Sequence, residues 1–247
     1  MRGSLRCVIL ACASSLLEPS GLAQGADVSA KIVMHTDKRP GAADHKGIPT
    51  AANVVVWLSP LQTITSTPSA SAHSPYRLLQ KDKQFTPHLL VVPTGSSVEF
   101  PNADPFFHNV FSLFNGKRFD LGLYESGTSR SVKFDREGVS YIFCNIHPEM
   151  GAVVLSLSTP YYAISGADGT VTIHGVPSGS YRLNVWSESA QPLMKLENQR
   201  AVQINSDSGG QGVVRLGEIA MQPSASPLGD HKNKFGEDYA PESHSPY

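Results

Sequence analysis

Cysteine is scarce in these 247 residues: there are three, and Cys7 and Cys12 both fall in the first dozen positions. If the leader is removed, Cys144 stands alone and no internal disulfide can form. A lone thiol in an oxidising compartment is either a buried, inert core residue or is occupied by something. One-sided charge is also missing, since 20 Lys and Arg face 21 Asp and Glu. That balance, with no basic run carrying interleaved aromatics, excludes a nucleic-acid binder. Long apolar runs are missing too. Short apolar segments are punctuated by 21 Gly and 18 Pro, the pattern of strands and turns and not of a helical bundle. No Gly-x-Ser-x-Gly elbow, His-Glu-x-x-His helix or phosphate loop is found, and no His-x-His pair of the kind used by multicopper oxidases. An enzyme is therefore not expected.

The start of the chain reads as an export signal. Arg2 and Arg6 precede an apolar stretch from Cys7 to Leu17, and Gly21-Leu22-Ala23 supplies small residues for cleavage. The stretch is well short of the ~20 residues that span a bilayer. A lipid-modified Cys12 is the alternative. The expectation is a signal peptide over 1–23, a mature chain from about Gln24, no membrane span once the signal is gone, and a periplasmic or secreted location.

Val28, Ala30, Ile32 and Met34 alternate with polar residues as in a half-exposed strand, and Val54 to Leu58 reads as a buried one. Ser, Thr, Ala and Pro over Thr63 to Pro75 make a linker. Strands resume at Leu89–Val92 and Val98–Phe100, then at Tyr141 to Cys144 and Val153 to Leu157. In a second β block, Ala167-Asp168-Gly169-Thr170 reads as a hairpin turn. From Gln222 onward polar residues dominate, and a disordered tail is expected.

The chemistry concentrates in Cys144-Asn145-Ile146-His147-Pro148-Glu149-Met150. A strand ending at Cys144 and a tight loop returning to Val153 would aim a thiolate, an imidazole and a thioether at one point. Soft sulfur with borderline nitrogen selects copper. His108, at the head of another strand, offers a second imidazole, completing the donor set of a blue-copper electron-transfer site. Zinc suits Cys and His as well, but Met is a poor zinc ligand. The remaining histidines are structural candidates, with a secondary role at the copper site left open for His88.

The Cys-x-x-His-x-x-Met loop with Pro148, the tripeptide His108-Asn109-Val110, and the frame Phe85-Thr86-Pro87 to Asn102 resemble the cupredoxins, the amicyanin and plastocyanin type in particular. Ile146 departs from the Pro usual there. The resemblance implies copper bound by His108, Cys144, His147 and Met150 with Glu149 left solvated, while the adjacency of Glu149 and Met150 in the loop keeps Glu149 as the alternative axial ligand. It also implies that Asn109 ties the ligand loops together and that Pro148 shapes the second, that Phe106 and Phe107 shield the metal, and that His147 reaches the surface through an apolar patch.

The segments Tyr162–Gly169 and Val171–Tyr181 resemble the transthyretin-like regulatory β-sandwich of carboxypeptidases, a carbohydrate-binding-like fold. The expected fold is thus all-β: a cupredoxin Greek-key sandwich over 78–157, inserted in or flanked by a transthyretin-like sandwich over 24–62 and 158–221, with a 63–77 linker and a 222–247 tail. The expected function is a one-electron copper carrier serving a redox partner protein. The alternative is a non-redox copper-binding or sensing module whose second sandwich docks a glycan or protein.

Overall fold

The computed structural model describes residues 25–35, 50–63, 75–113, 116–193, 200–205, 212–229 and 231–239. The signal expected over 1–23, with Cys7 and Cys12, lies outside them, as does most of the expected linker. The regular elements are all strands. No helix among the described residues is long and apolar enough to cross a membrane.

The strands are β1 (Ala26–Met34), β2 (Val55–Pro60), β3 (Tyr76–Arg77), β4 (Leu79–Lys81), β5 (Gln84–Thr86) and β6 (Leu89–Pro93). Next come β7 (Ser97–Pro101), β8 (His108–Ser112), β9 (Phe119–Tyr124), β10 (Ser129–Lys133), β11 (Gly138–Cys144) and β12 (Gly151–Leu157). The chain closes with β13 (Tyr162–Ile164), β14 (Thr170–Val176), β15 (Gly179–Trp186), β16 (Ala190–Pro192), β17 (Ala201–Ile204) and β18 (Val213–Pro223).

Two four-stranded sheets, β14-β1-β18-β16 and β13-β2-β15-β17, enclose one apolar core that includes Ile32, Val56, Leu58, Ile173 and Tyr181. A five-stranded sheet, β6-β12-β11-β8-β9, and a three-stranded one, β10-β7-β3, enclose another that includes Phe100, Phe134, Ile142 and Val154. The early strands pair with late ones. β1 lies between β14 and β18, and β2 between β13 and β15, so β3 to β12 are threaded between two halves of one sandwich.

A third cluster joins the two bodies: Val55, Val91, Leu155 and Leu157, flanked by Trp57, Tyr162 and Trp186. Side chains alternate across a strand, so Val56 and Leu58 face the first core while Val55 and Trp57 face this junction. Burial on both faces explains why β2 and β12 are apolar without alternation. Trp57 and Trp186 fill the junction between sheets.

Three sequence expectations change. The turn at Ala167–Thr170 is present, with Gly169 N–H donating to Gly166 O at 2.9 Å, but it is not a hairpin, because β13 and β14 belong to opposite sheets. Turn chemistry specifies a reversal; burial of both strands around one core decides which sheet each joins. Next, β3 pairs with β7, which adds Tyr76 and Arg77 to the body expected over 78–157. Finally, residues 222–223 end β18, and 224–229 and 231–239 lie against the Cys144 loop where a disordered tail was expected. Their polarity matches a polar surface, so composition alone hid the docking.

Candidate metal centre

β11 ends at Cys144, and its last residues pair with β8 as Phe143 with Phe111 and Cys144 with Val110. This register sets Cys144 beside the strand that opens with His108. The following loop closes on itself, with Met150 N–H donating to His147 O at 3.1 Å and Cys144 N–H to Met150 O at 3.3 Å. His147 is thereby swung back over Cys144.

His108 Nδ1 lies 3.7 Å from Cys144 Sγ, His147 Nδ1 lies 3.6 Å from it, and the two nitrogens are 3.1 Å apart. Bonds of about 2.0–2.1 Å to nitrogen and 2.3 Å to sulfur, at trigonal angles, would separate the donors by roughly 3.5–3.8 Å. The nitrogen–sulfur distances agree and the nitrogen pair is a few tenths closer, so the three atoms fit around one ion. His108, Cys144 and His147 are the one such cluster of His, Cys and carboxylate groups among the described residues.

Electrostatics fit the same use. Burial pushes the Cys144 thiol up, while the backbone N–H groups of Asn109, Ile146 and His147 point at the sulfur and favour its anion. Burial and the neighbouring His108 hold His147 below the usual imidazole value, leaving it neutral with a lone pair to offer.

One residue was missed from the sequence. Asp104 is buried, and its Oδ2 lies 2.8 Å from His108 Nε2. It also accepts from the N–H groups of Asp82 at 2.6 Å and Lys83 at 3.1 Å, both in the left-handed region at φ 54° and 53°. Burial alone would raise the Asp104 carboxyl, but the bonds from His108, Lys83 and Asp82 hold it below its ordinary value. An anion at Nε2 keeps that proton in place and leaves Nδ1 as the free donor atom. The available signal was Asn102-Ala103-Asp104, an Asx turn in which Asn102 Oδ1 accepts Asp104 N–H at 3.0 Å.

Met150 is fully buried in the same apolar cluster as Cys144, whereas Glu149 and Pro148 are exposed. Asn109 reaches the Cys144 sulfur through its backbone N–H. Its side chain donates to Asp120 Oδ1 at 2.7 Å, so the contact of Asn109 with the Cys144 loop is made by the main chain. Phe106 packs against both imidazoles, with ring centroids 5.2 Å from His108 and 5.5 Å from His147. Phe107 is 53% exposed, so the shielding expected of both rings falls to Phe106. His88 bonds Glu188 at 2.5 Å and is not in the cluster.

No protein-family model and no curated protein matches the chain. Solved structures do. A purple cupredoxin from Nitrosopumilus maritimus is 24% identical over 33% of this chain and 99% of its own, with a TM-score of 0.30. The Cu-containing nitrite reductase from Thermus scotoductus is 22% identical over 39% of this chain and 25% of its own, with a TM-score of 0.33. An oxidized amicyanin variant is 19% identical over 34% of this chain and 82% of its own, with a TM-score of 0.32.

Proposed function

We propose that this chain is an exported one-electron carrier whose body from β3 to β12 holds a single copper ion through His108, Cys144, His147 and Met150. The observation that carries the reading is the convergence of two imidazole nitrogens and one thiol sulfur at 3.1–3.7 Å, from a strand and a loop that share a buried core. Copper bound there supplies a one-electron couple, and a His2Cys donor set with a weak thioether suits both of its oxidation states. The burial of Met150 beside an exposed Glu149 supports the thioether as the fourth donor.

The protein's own part is to hold these donors nearly fixed. Asp104 keeps the proton on His108 Nε2, the three N–H groups around Cys144 favour its anion, and Phe106 limits water. His147 is only partly buried and its neighbour Ile146 is 44% exposed, which suits this side as the face where a redox partner docks. The reading of residues 1–23 as a signal peptide makes the periplasm or cell exterior the proposed location.

Metal analysis and a visible spectrum of the purified protein test this reading. One copper per chain and an intense thiolate charge-transfer band are expected, and Cys144→Ser should abolish the band. A variant that keeps the native spectrum would sink the assignment.

A further inference from the structure

After β18 the described residues stay packed on the molecule. Ser224 N–H donates to Ser189 O at 2.9 Å and Ser226 Oγ to Glu188 Oε1 at 2.5 Å, which turns the segment toward the β11–β12 end of the metal-bearing body. Leu228 covers Gly151, where an added Cβ would meet its methyl at 3.4 Å. The His231 ring then stacks on Phe143, with centroids 4.1 Å apart and planes at 24°, and Tyr239 meets His231 edge-on at 5.3 Å.

Three polar contacts finish the docking. Tyr239 OH donates to Cys144 O at 2.9 Å, Lys234 N–H donates to Asn145 Oδ1 at 2.9 Å, and Lys234 Nζ donates to Asp120 Oδ2 at 2.7 Å. The same Asp120 holds the side chain of Asn109, the residue after His108. Thus one short segment touches three consecutive residues, Phe143 to Asn145, at the start of the ligand loop and Gly151 at its end. Through Asp120 it also reaches the strand of the other imidazole.

We propose that residues 224–229 and 231–239 strap down the Cys144–Met150 loop and position it, and that metal is taken up and released when this strap lets go. This rests on the reading of His108, Cys144 and His147 as a metal site. His108, Cys144 and Met150 are each 0% exposed, so the loop must open for an ion to pass. The loop's own closure consists of two backbone bonds, at 3.1 and 3.3 Å, and the strap adds an outer set. That outer set is made of partly exposed hydrogen bonds, one ion pair and one ring stack, each individually weak, so it can release without unfolding the sandwich. Tyr239 and Lys234 are positioning residues here, since neither offers a donor atom to the cluster.

The test uses the full chain, Tyr239→Phe, Lys234→Ala, a chain ending at Pro223, and Val213→Ala as a control at a side chain 52% exposed outside the strap. Two rates are read: transfer of copper(I) from the loaded protein to excess bicinchoninate, and alkylation of Cys144 by iodoacetamide in the metal-free protein. Both should rise about 2- to 10-fold in Tyr239→Phe, the worth of one hydrogen bond. They should rise more in the shortened chain, and should not change in Val213→Ala. In the full chain, added salt should speed alkylation by screening Lys234 from Asp120; Lys234→Ala should lose that dependence. Alkylation needs no metal, so a full chain that fails to hold copper defeats the metal reading while thiol access still judges the strap. If the shortened chain does not fold, Tyr239→Phe and Lys234→Ala decide. Unchanged alkylation and transfer rates in those two variants overturn the proposal.

Discussion

Replacing Asp104 with Asn changes one oxygen to an amide at constant shape, and the structure says what that does. Oδ2 of Asp104 accepts from His108 Nε2 and from Lys83 N–H, so an NH2 group there would face two donors, and the amide must turn or move away. Either way the charge beside His108 is lost. The carboxylate would lie about 7 Å from a metal held on Nδ1, taking the 2.8 Å hydrogen bond, the imidazole width and a metal–nitrogen bond together. At an effective dielectric of about 20, one unit charge at that distance is worth roughly 2.4 kcal/mol to each unit of charge on the metal. For a one-electron couple that is about 100 mV, because a tenfold change in equilibrium corresponds to 59 mV. Losing a negative neighbour destabilises the more highly charged oxidised ion, so the potential should rise. Losing the group that holds the tautomer should also weaken copper binding about 10- to 100-fold. Voltammetry and competition with a chelator measure the two effects. A potential within about 20 mV of the parent, together with an affinity changed less than twofold, would show that Asp104 does not act on His108 as the geometry implies.

Met150→Gln should lower the reduction potential and shift the visible spectrum, because a harder oxygen donor favours the oxidised ion, whereas Glu149→Gln should change both little. The opposite pattern would make Glu149 the axial donor. At the junction of the two bodies, Leu155→Ala removes a side chain 1% exposed and should cost about 2–5 kcal/mol in urea unfolding, while a loss under ~1 kcal/mol would mean that the sheets do not pack there. The bond to Glu188 raises the His88 imidazole above its ordinary value, against burial that lowers it, and the same bond helps hold Glu188 down. His88 thus stabilises the fold fully below about pH 6.5 and loses this as pH climbs through its raised value, while Glu188 loses its share as pH falls below the carboxylate range. The melting temperature should therefore drop from pH 6 toward alkaline pH by an amount that His88→Gln removes; an equal drop in the variant would clear His88 of the effect.

Period-two alternation in Val28 to Met34 and the Gly- and Pro-bounded apolar runs were enough to specify an all-β chain, because side-chain direction in a strand follows from local geometry. The crowding of Cys144 and His147 was likewise legible, since donor type belongs to the residue and their closeness to the spacing. Which strands pair was not legible. β1 meets β14 and β18 across most of the chain, and nothing local in Val28 to Met34 distinguishes those partners from any other apolar strand. The role of Asp104 was illegible for the same reason: Asn102-Ala103-Asp104 marks a turn, but where the carboxylate is held depends on Asp82 and Lys83, whose left-handed backbone aims two N–H groups at it from a distant turn. The segment of residues 224–229 and 231–239 shows the limit most clearly. Composition measures whether a segment can bury apolar surface of its own, and this one cannot. It is held by single contacts to Phe143, Cys144, Asn145 and Asp120, which exist only once β8, β9 and β11 have been brought together.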